Sequence, residues 1–202
     1  MKLAGHNYTG QTEVLEQYLA QSNQKAEMIF VCDNFSVMLM TRHIALNKVS
    51  ENIKKDNLVE RIEKLVYSFK FQLNKPLPSI AVCALNPHAG ENGMFGTEEL
   101  NEIIPAITEL RKKGINIDGP FPSDALFTKC ALQECNYDCY IAMYHDQGLI
   151  PIKLLDRDSC VNTTLGLNVL RTSPAHGTAF DIAGQNIANP SSMINAVKLA
   201  LK

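Results

Sequence analysis

The sequence predicts an α/β protein with a largely parallel sheet. Near-continuous apolar runs at residues 79–85 (SIAVCAL) and 137–144 (YDCYIAMY) read as strands buried on both faces. These runs alternate with long segments of helical period, one at residues 57–73 and one starting at Thr97. The chain has 202 residues, 46% of them hydrophobic and 20% charged. That is long enough for one domain with a sizeable core or for two small lobes, and it excludes a disordered chain, a coiled coil or a collagen-like repeat.

Each element has its own reason. Thr12 is placed to cap a helix running to about residue 22, with Leu15, Tyr18 and Leu19 on one face. Residues 28–32 and 36–41 are short apolar runs, strand or buried helix, which period alone does not separate. Residues 57–73 carry Leu58, Ile62, Leu65, Phe69 and Leu73 on one helical face. The helix from Thr97 carries Ile103, Ile104, Ile107 and Leu110, and Gly114 suits the position just past its end. Residues 151–155 and 161–165 read as further strands, and Ser191 or Ser192 as the cap of a last helix through Leu201. No linker divides the chain. The nearest candidate, residues 73–78 (LNKPLP), is only a connection, so residues 1–202 are read as one unit.

Composition narrows the partners. The formal net charge is −2 and the pI about 6.2, which argues against nucleic acid, since phosphate-backbone binding usually needs a basic face. Six cysteines include no C-x-x-C pair, and Cys32, Cys83 and Cys139 lie in apolar runs where a thiol acts as a small hydrophobe. A reducing, cytoplasmic compartment is the expectation. The first ten residues lack the apolar stretch of a signal peptide, and nothing approaches a membrane span, so no membrane partner is expected.

In open parallel sheets, ligands bind beyond the carboxyl ends of the strands. Arg42-His43, Asn86-Pro87-His88 and His145-Asp146-Gln147 each follow a predicted strand. Three imidazoles with an open position are a recurrent catalytic metal arrangement, and Asp124 and Asp146 are candidates to orient them by hydrogen bonds. A histidine at a strand end is also commonly a plain hydrogen-bonding residue, His6 being read as a loop residue without a role. Lys153, Asn162 and Arg171 each follow or end an apolar segment and suit an anionic substrate, unless the two cations are solvated surface charges. Residues 176–184 (HGTAFDIAG) have glycines at positions that permit tight turns and close backbone approach, but no G-x-G-x-x-G and no Walker lysine loop.

With these residues in view, the chain resembles the 4-hydroxythreonine-4-phosphate dehydrogenase (PdxA) family. The matching segments are Thr9-Gly10-Gln11-Thr12-Glu13, Leu85-Asn86-Pro87-His88-Ala89-Gly90-Glu91, Gly119-Pro120-Phe121-Pro122-Ser123-Asp124, Ala142-Met143-Tyr144-His145-Asp146-Gln147-Gly148, Val161-Asn162-Thr163-Thr164-Leu165-Gly166, and Arg171-Thr172-Ser173 through His176-Gly177-Thr178-Ala179. They run in the family's order over essentially the whole chain.

The resemblance implies the fold of the isocitrate and isopropylmalate dehydrogenases, with the family's N-terminal portion outside this sequence. It implies NAD-dependent, metal-assisted oxidation of 4-phosphohydroxy-L-threonine to a 3-oxo acid that decarboxylates, in pyridoxal phosphate biosynthesis. It assigns a divalent metal to His43, His88 and His145, zinc first, with magnesium, cobalt or manganese as alternatives. It assigns the phosphorylated substrate to Gln11, Thr12, Lys153, Asn162 and Arg171, and catalytic roles to Lys153, Asp124 and Asp146. The dinucleotide falls to His176, Gly177, Thr178, Ala179, Asp181 and Asn189. It further implies a homodimer with the site at the subunit interface. Gln11 stands where the family usually has histidine, and glutamine does not titrate near neutral pH. That departure keeps open a different hydroxy-acid phosphate or an aromatic dihydrodiol as substrate. A non-catalytic metal-binding fragment is the alternative from another class.

Overall fold

The computed structural model describes residues 5, 8, 10–21, 24–156 and 158–201. His6, Thr9 and the residue-22 end expected for the first helix lie outside the described residues. In chain order, α1 (Gln11–Leu19) leads into the hairpin of β1 (Glu27–Val31) and β2 (Ser36–Leu39). The short α2 (Val49–Asn52) precedes the long α3 (Lys55–Gln72), and β3 (Ile80–Cys83) follows. Then come α4 (Ile104–Lys112), β4 (Ile117–Phe121), α5 (Ser123–Ala131), β5 (Cys139–Ala142) and α6 (His145–Leu155). The chain closes with β6 (Val161–Leu165), β7 (Arg171–Pro174) and α7 (Ser191–Ala200).

Seven strands form one sheet in the order β4-β3-β5-β2-β1-β6-β7. The half from β4 to β2 is parallel throughout, with Ile80 opposite Cys139 and Met38 opposite Ile141. The other half, from β2 through β1 and β6 to β7, is antiparallel. The expected parallel sheet is thus the half that βα connections build, and the hairpin and the last two strands extend it in the opposite sense.

Alternate residues of the buried strands feed two cores, as the two-residue period of a strand requires. Ile29, Met38, Ile80, Val82 and Ile141 face α3 and α4, meeting Leu58, Ile62, Leu65, Ile107 and Leu110. Phe30, Val37, Leu39, Ala81, Tyr140 and Ala142 face α5 and α6, meeting Leu126, Phe127, Leu149 and Ile152. With helices on both faces, β2, β3 and β5 are buried along their whole length, which explains their unbroken apolar runs.

Several local expectations change. Residues 151–155 are the last turns of α6 and not a strand. Leu149 and Ile152 are buried there while Ile150 and Leu154 are exposed, the spacing of a helix, and Pro151 is accommodated inside it at the loss of one backbone donor. Thr12 lies inside α1 and is buried, with Gly10 at the cap position. Tyr18, expected on the apolar face, is 72% exposed. The helix expected from Thr97 opens with a wide turn at Glu99–Ile103 before α4. Gly114 ends it as expected: its φ is +82°, and Gly114 and Ile115 donate to the Arg111 and Leu110 carbonyls at 2.9 and 3.1 Å, the paired bonds of a left-handed helix end. Ser192 does not cap α7; its hydroxyl donates to the Cys160 carbonyl at 3.2 Å.

One buried ion pair ties α3 to the sheet. Arg61 donates to both oxygens of Glu27 and to the carbonyls of Leu39 and Met40, where β2 ends. The two residues are 9% and 2% exposed. Removing one partner strands the other's charge in the core, which costs about 3–5 kcal/mol. Urea unfolding of Arg61→Ala is expected to show a loss of that size, partly recovered in the double variant Glu27→Met/Arg61→Met. A single variant as stable as the wild type would contradict this role.

Candidate functional site

Parallel pairing sets the carboxyl ends of β4, β3, β5 and β2 side by side along one edge of the sheet. Each strand delivers its polar residues there: Asp124 after β4, Asn86 and His88 after β3, His145 and Asp146 after β5, and Arg42 and His43 after β2. The rings of His43 and His145 lie 5.9 Å apart between centroids, tilted by 45°. Asp146 Oδ1 lies 2.6 Å from His145 Nδ1. A carboxylate only accepts, so Nδ1 carries the proton and Nε2 is the nitrogen open to a ligand.

The ring of His88 lies 6.0 Å from that of Phe95. Among the described residues no three His, Cys, Asp or Glu side chains gather closely enough to hold a metal ion. His88 belongs to a left-handed turn: His88, Ala89, Gly90, Glu91 and Asn92 have φ between 43° and 78°. Such a conformation costs about 1–2 kcal/mol for each residue that carries a β-carbon. Asp124 lies exposed in the first turn of α5, and none of the hydrogen bonds among the described residues joins it to a histidine.

Gln147 holds the edge together, and no role was foreseen for it in the sequence. Its amide donates to the Ala84 carbonyl at 2.7 Å and the Ser123 hydroxyl at 2.6 Å. Its oxygen accepts from the Met143 N–H at 2.6 Å. One side chain thus links the ends of β3 and β5 to the start of α5. Its place inside the quoted His145-Asp146-Gln147-Gly148 segment was the available signal.

A second group of expected residues connects to the histidine pair. Arg171 donates to Gln11 Oε1 at 2.7 Å, and burial pulls the guanidinium below its ordinary pKa. It still stays charged at any working pH. Gly10, the neighbour of Gln11, lies against His43: a β-carbon there would stand 3.9 Å from the imidazole. A continuous path therefore runs from Arg171 through Gln11 and Gly10 to His43 and His145. Asn162 Oδ1 and Arg42 Nη1 are buried without a hydrogen-bond partner among the described residues.

Lys153 lies on α6 and opens into a cavity of about 460 Å³ that it shares with Leu149, His176, Gly177, Ala179 and Asn189. The structure so brings Lys153 beside much of the expected dinucleotide loop, with Thr178 and Asp181 outside the cavity lining. His176 Nδ1 lies 2.8 Å from the Gly177 carbonyl, and Asp181 sits in a short turn, Phe180–Ile182.

Comparison with known proteins now bears on this arrangement. The family described as "Pyridoxal phosphate biosynthetic protein PdxA" matches residues 1–200. The 4-hydroxythreonine-4-phosphate dehydrogenase of Desulforapulum autotrophicum is 44% identical over 200 residues, covering 99% of this chain and 58% of the relative. The D-threonate 4-phosphate dehydrogenase of Salmonella typhimurium is 44% identical over 202 residues, covering all of this chain and 60% of the relative. The crystal structure of 4-hydroxythreonine-4-phosphate dehydrogenase from Klebsiella pneumoniae superposes with a TM-score of 0.82 at 40% identity, covering 99% of this chain and 60% of that one. The chain thus spans about three fifths of the length of the relatives it matches. With a family match over nearly its whole length, and with strand-end histidines and a basic group on one sheet, the chain belongs to the PdxA family.

Proposed function

We propose that the chain carries the substrate, metal and dinucleotide residues of an NAD-dependent dehydrogenase acting on a phosphorylated hydroxy acid. The observation that supports this most is the path from the Arg171–Gln11 pair to the His43–His145–Asp146 group, which joins an anion-binding group to a set of imidazole donors. Imidazole donors fit a divalent ion of the zinc, cobalt or nickel type. His43 and His145 would hold it on one side and His88 on another. No three metal-ligating side chains of one copy gather among the described residues, which suits a site completed where two copies of the chain meet as a homodimer.

In this reading, Arg171 and Lys153 hold the substrate's anionic groups, the arginine through a planar fork. Gln11 fixes the guanidinium by accepting a hydrogen bond from one of its N–H groups and so sets where the anion lies. Thr12 and Asn162 complete the polar wall, the latter with an oxygen free to accept. Asp146 keeps the His145 proton on Nδ1. A divalent ion would act as a Lewis acid toward the substrate hydroxyl, favouring its deprotonation. NAD, bound along His176, Gly177, Thr178, Ala179, Asp181 and Asn189, would accept the hydride. The alcohol loses one proton and one hydride, leaving a 3-oxo acid that sheds carbon dioxide because the ketone takes up the electron pair. No helix among the described residues is long and apolar enough to cross a membrane.

The substrate proposed first is 4-phosphohydroxy-L-threonine, and the reaction a step of pyridoxal phosphate biosynthesis. D-threonate 4-phosphate is the second reading. It is favoured by the similarity to the Salmonella typhimurium enzyme of that name.

The purified chain, given NAD, a divalent metal and each substrate in turn, is expected to form NADH with one of them and to stop on addition of a chelator. Folded, metal-loaded chain that forms none with either would contradict the reading. Asp146→Asn frees the His145 ring to reorient, and its divalent-metal affinity is expected to fall about 10–100-fold. Titration that finds wild-type affinity would remove Asp146 from this role.

A further inference from the structure

Residues 88–92 run five in a row in the left-handed conformation, which is strained wherever a β-carbon is present. The turn that carries His88 ends with Phe95 and Met94 donating to the Gly90 and Glu91 carbonyls at 3.2 Å each. Its firm attachment is to Glu99, a carboxylate only 1% exposed. Glu99 Oε1 accepts from the backbone N–H groups of Leu85 and Asn86, both at 2.8 Å. Oε2 accepts from the Asn86 side-chain amide at 2.9 Å. The same amide reaches Glu98 Oε2 at 2.7 Å. Gly90 rests directly on this group, for a β-carbon there would come within 2.7 Å of Glu99 Oε2.

All three donors belong to the two residues just before Pro87-His88, and none of the ion pairs among the described residues includes Glu99. A carboxylate is a costly group to bury. It serves here where charge-assisted bonds to N–H donors are strong and directional. An apolar residue would fill the same space but leave the part-buried Leu85 and Asn86 amides without this acceptor.

We infer that Glu99 is a positioning residue: it anchors residues 85–90 from below and thereby fixes where His88 presents its imidazole. Glu99 does not touch the substrate or the metal. It acts through the backbone, as a buried clamp between the end of β3 and the wide turn that opens α4. The anchoring stands on the geometry alone, while its consequence for metal binding rests on the metal reading above.

Glu99→Gln keeps the shape and one acceptor oxygen but turns an NH₂ group toward Asn86 or Gly90. Asn86→Ala removes only the side-chain donor and leaves the carboxylate on its two backbone partners. Two measurements on the unmodified chain and both variants decide the matter: amide hydrogen exchange, and Co²⁺ titration followed by its visible absorption. In Glu99→Gln, exchange across residues 85–96 is expected to speed up at least about tenfold while the β5 and α3 amides keep their protection. Co²⁺ affinity is expected to drop about 10–100-fold. Asn86→Ala is expected to move both in the same direction by less. Unchanged exchange at residues 85–96 would overturn the proposal, as would a loss spread evenly over the sheet and helices. If Glu99→Gln does not fold, Asn86→Ala decides by the same criteria. If the wild-type chain binds no Co²⁺, the metal reading fails by itself and the exchange result alone decides the role of Glu99.

Discussion

Parallel pairing of β4, β3, β5 and β2 is the constraint on which the rest depends. A parallel pair sends both carboxyl ends the same way, and helices must cover both faces to bring the chain back. The faces are therefore closed to polar chemistry, and the strands are lined with Ile, Val, Leu and Ala. Polar residues are admitted only where the strands stop. That is why His43, His88, Asp124 and His145 all follow strand ends along one edge although more than a hundred residues separate the first from the last.

Keeping that edge in register takes buried polar groups. Arg61 and Glu27 secure the end of β2 just before His43. Gln147 secures the ends of β3 and β5 against α5. Glu99 secures the turn after β3. Each sits directly beneath a strand end that carries a candidate ligand, and each binds backbone groups. The strain of the left-handed turn at His88 persists because the surroundings over-determine it, a pattern that concentrates at functional sites.

Much of this was legible in the residues. The unbroken runs of β3 and β5 and the apolar stripe of α3 follow directly from two-sided burial and helical period. The placement of histidines after three strands follows from parallel topology. Other features were not legible, for physical reasons. Strand β4 (IDGPF) carries only partial burial over most of its length, so it has no apolar run to display. Residues 151–155 satisfy both a strand and a helix pattern, and only the packing of Leu149 and Ile152 against β2 and β5 decides for α6. The antiparallel half of the sheet is set by the β1–β2 turn, where 28–32 and 36–41 looked ambiguous. At the site, histidines and cations announce themselves by type. Glu99 and Gln147 do not, since their importance lies in which backbone groups they reach across the fold. Where His88 presents its imidazole depends on the conformation of five residues that no spacing rule describes.

The central claim is that one divalent ion binds at this sheet edge through His43, His88 and His145. X-ray absorption at the zinc edge, on the zinc-loaded chain and its His88→Ala variant, tests it most directly. The account expects imidazole nitrogens at about 2.0–2.1 Å from zinc in the wild type and one fewer in the variant. An unchanged imidazole count in His88→Ala, or a wild-type chain that retains no zinc, would contradict it.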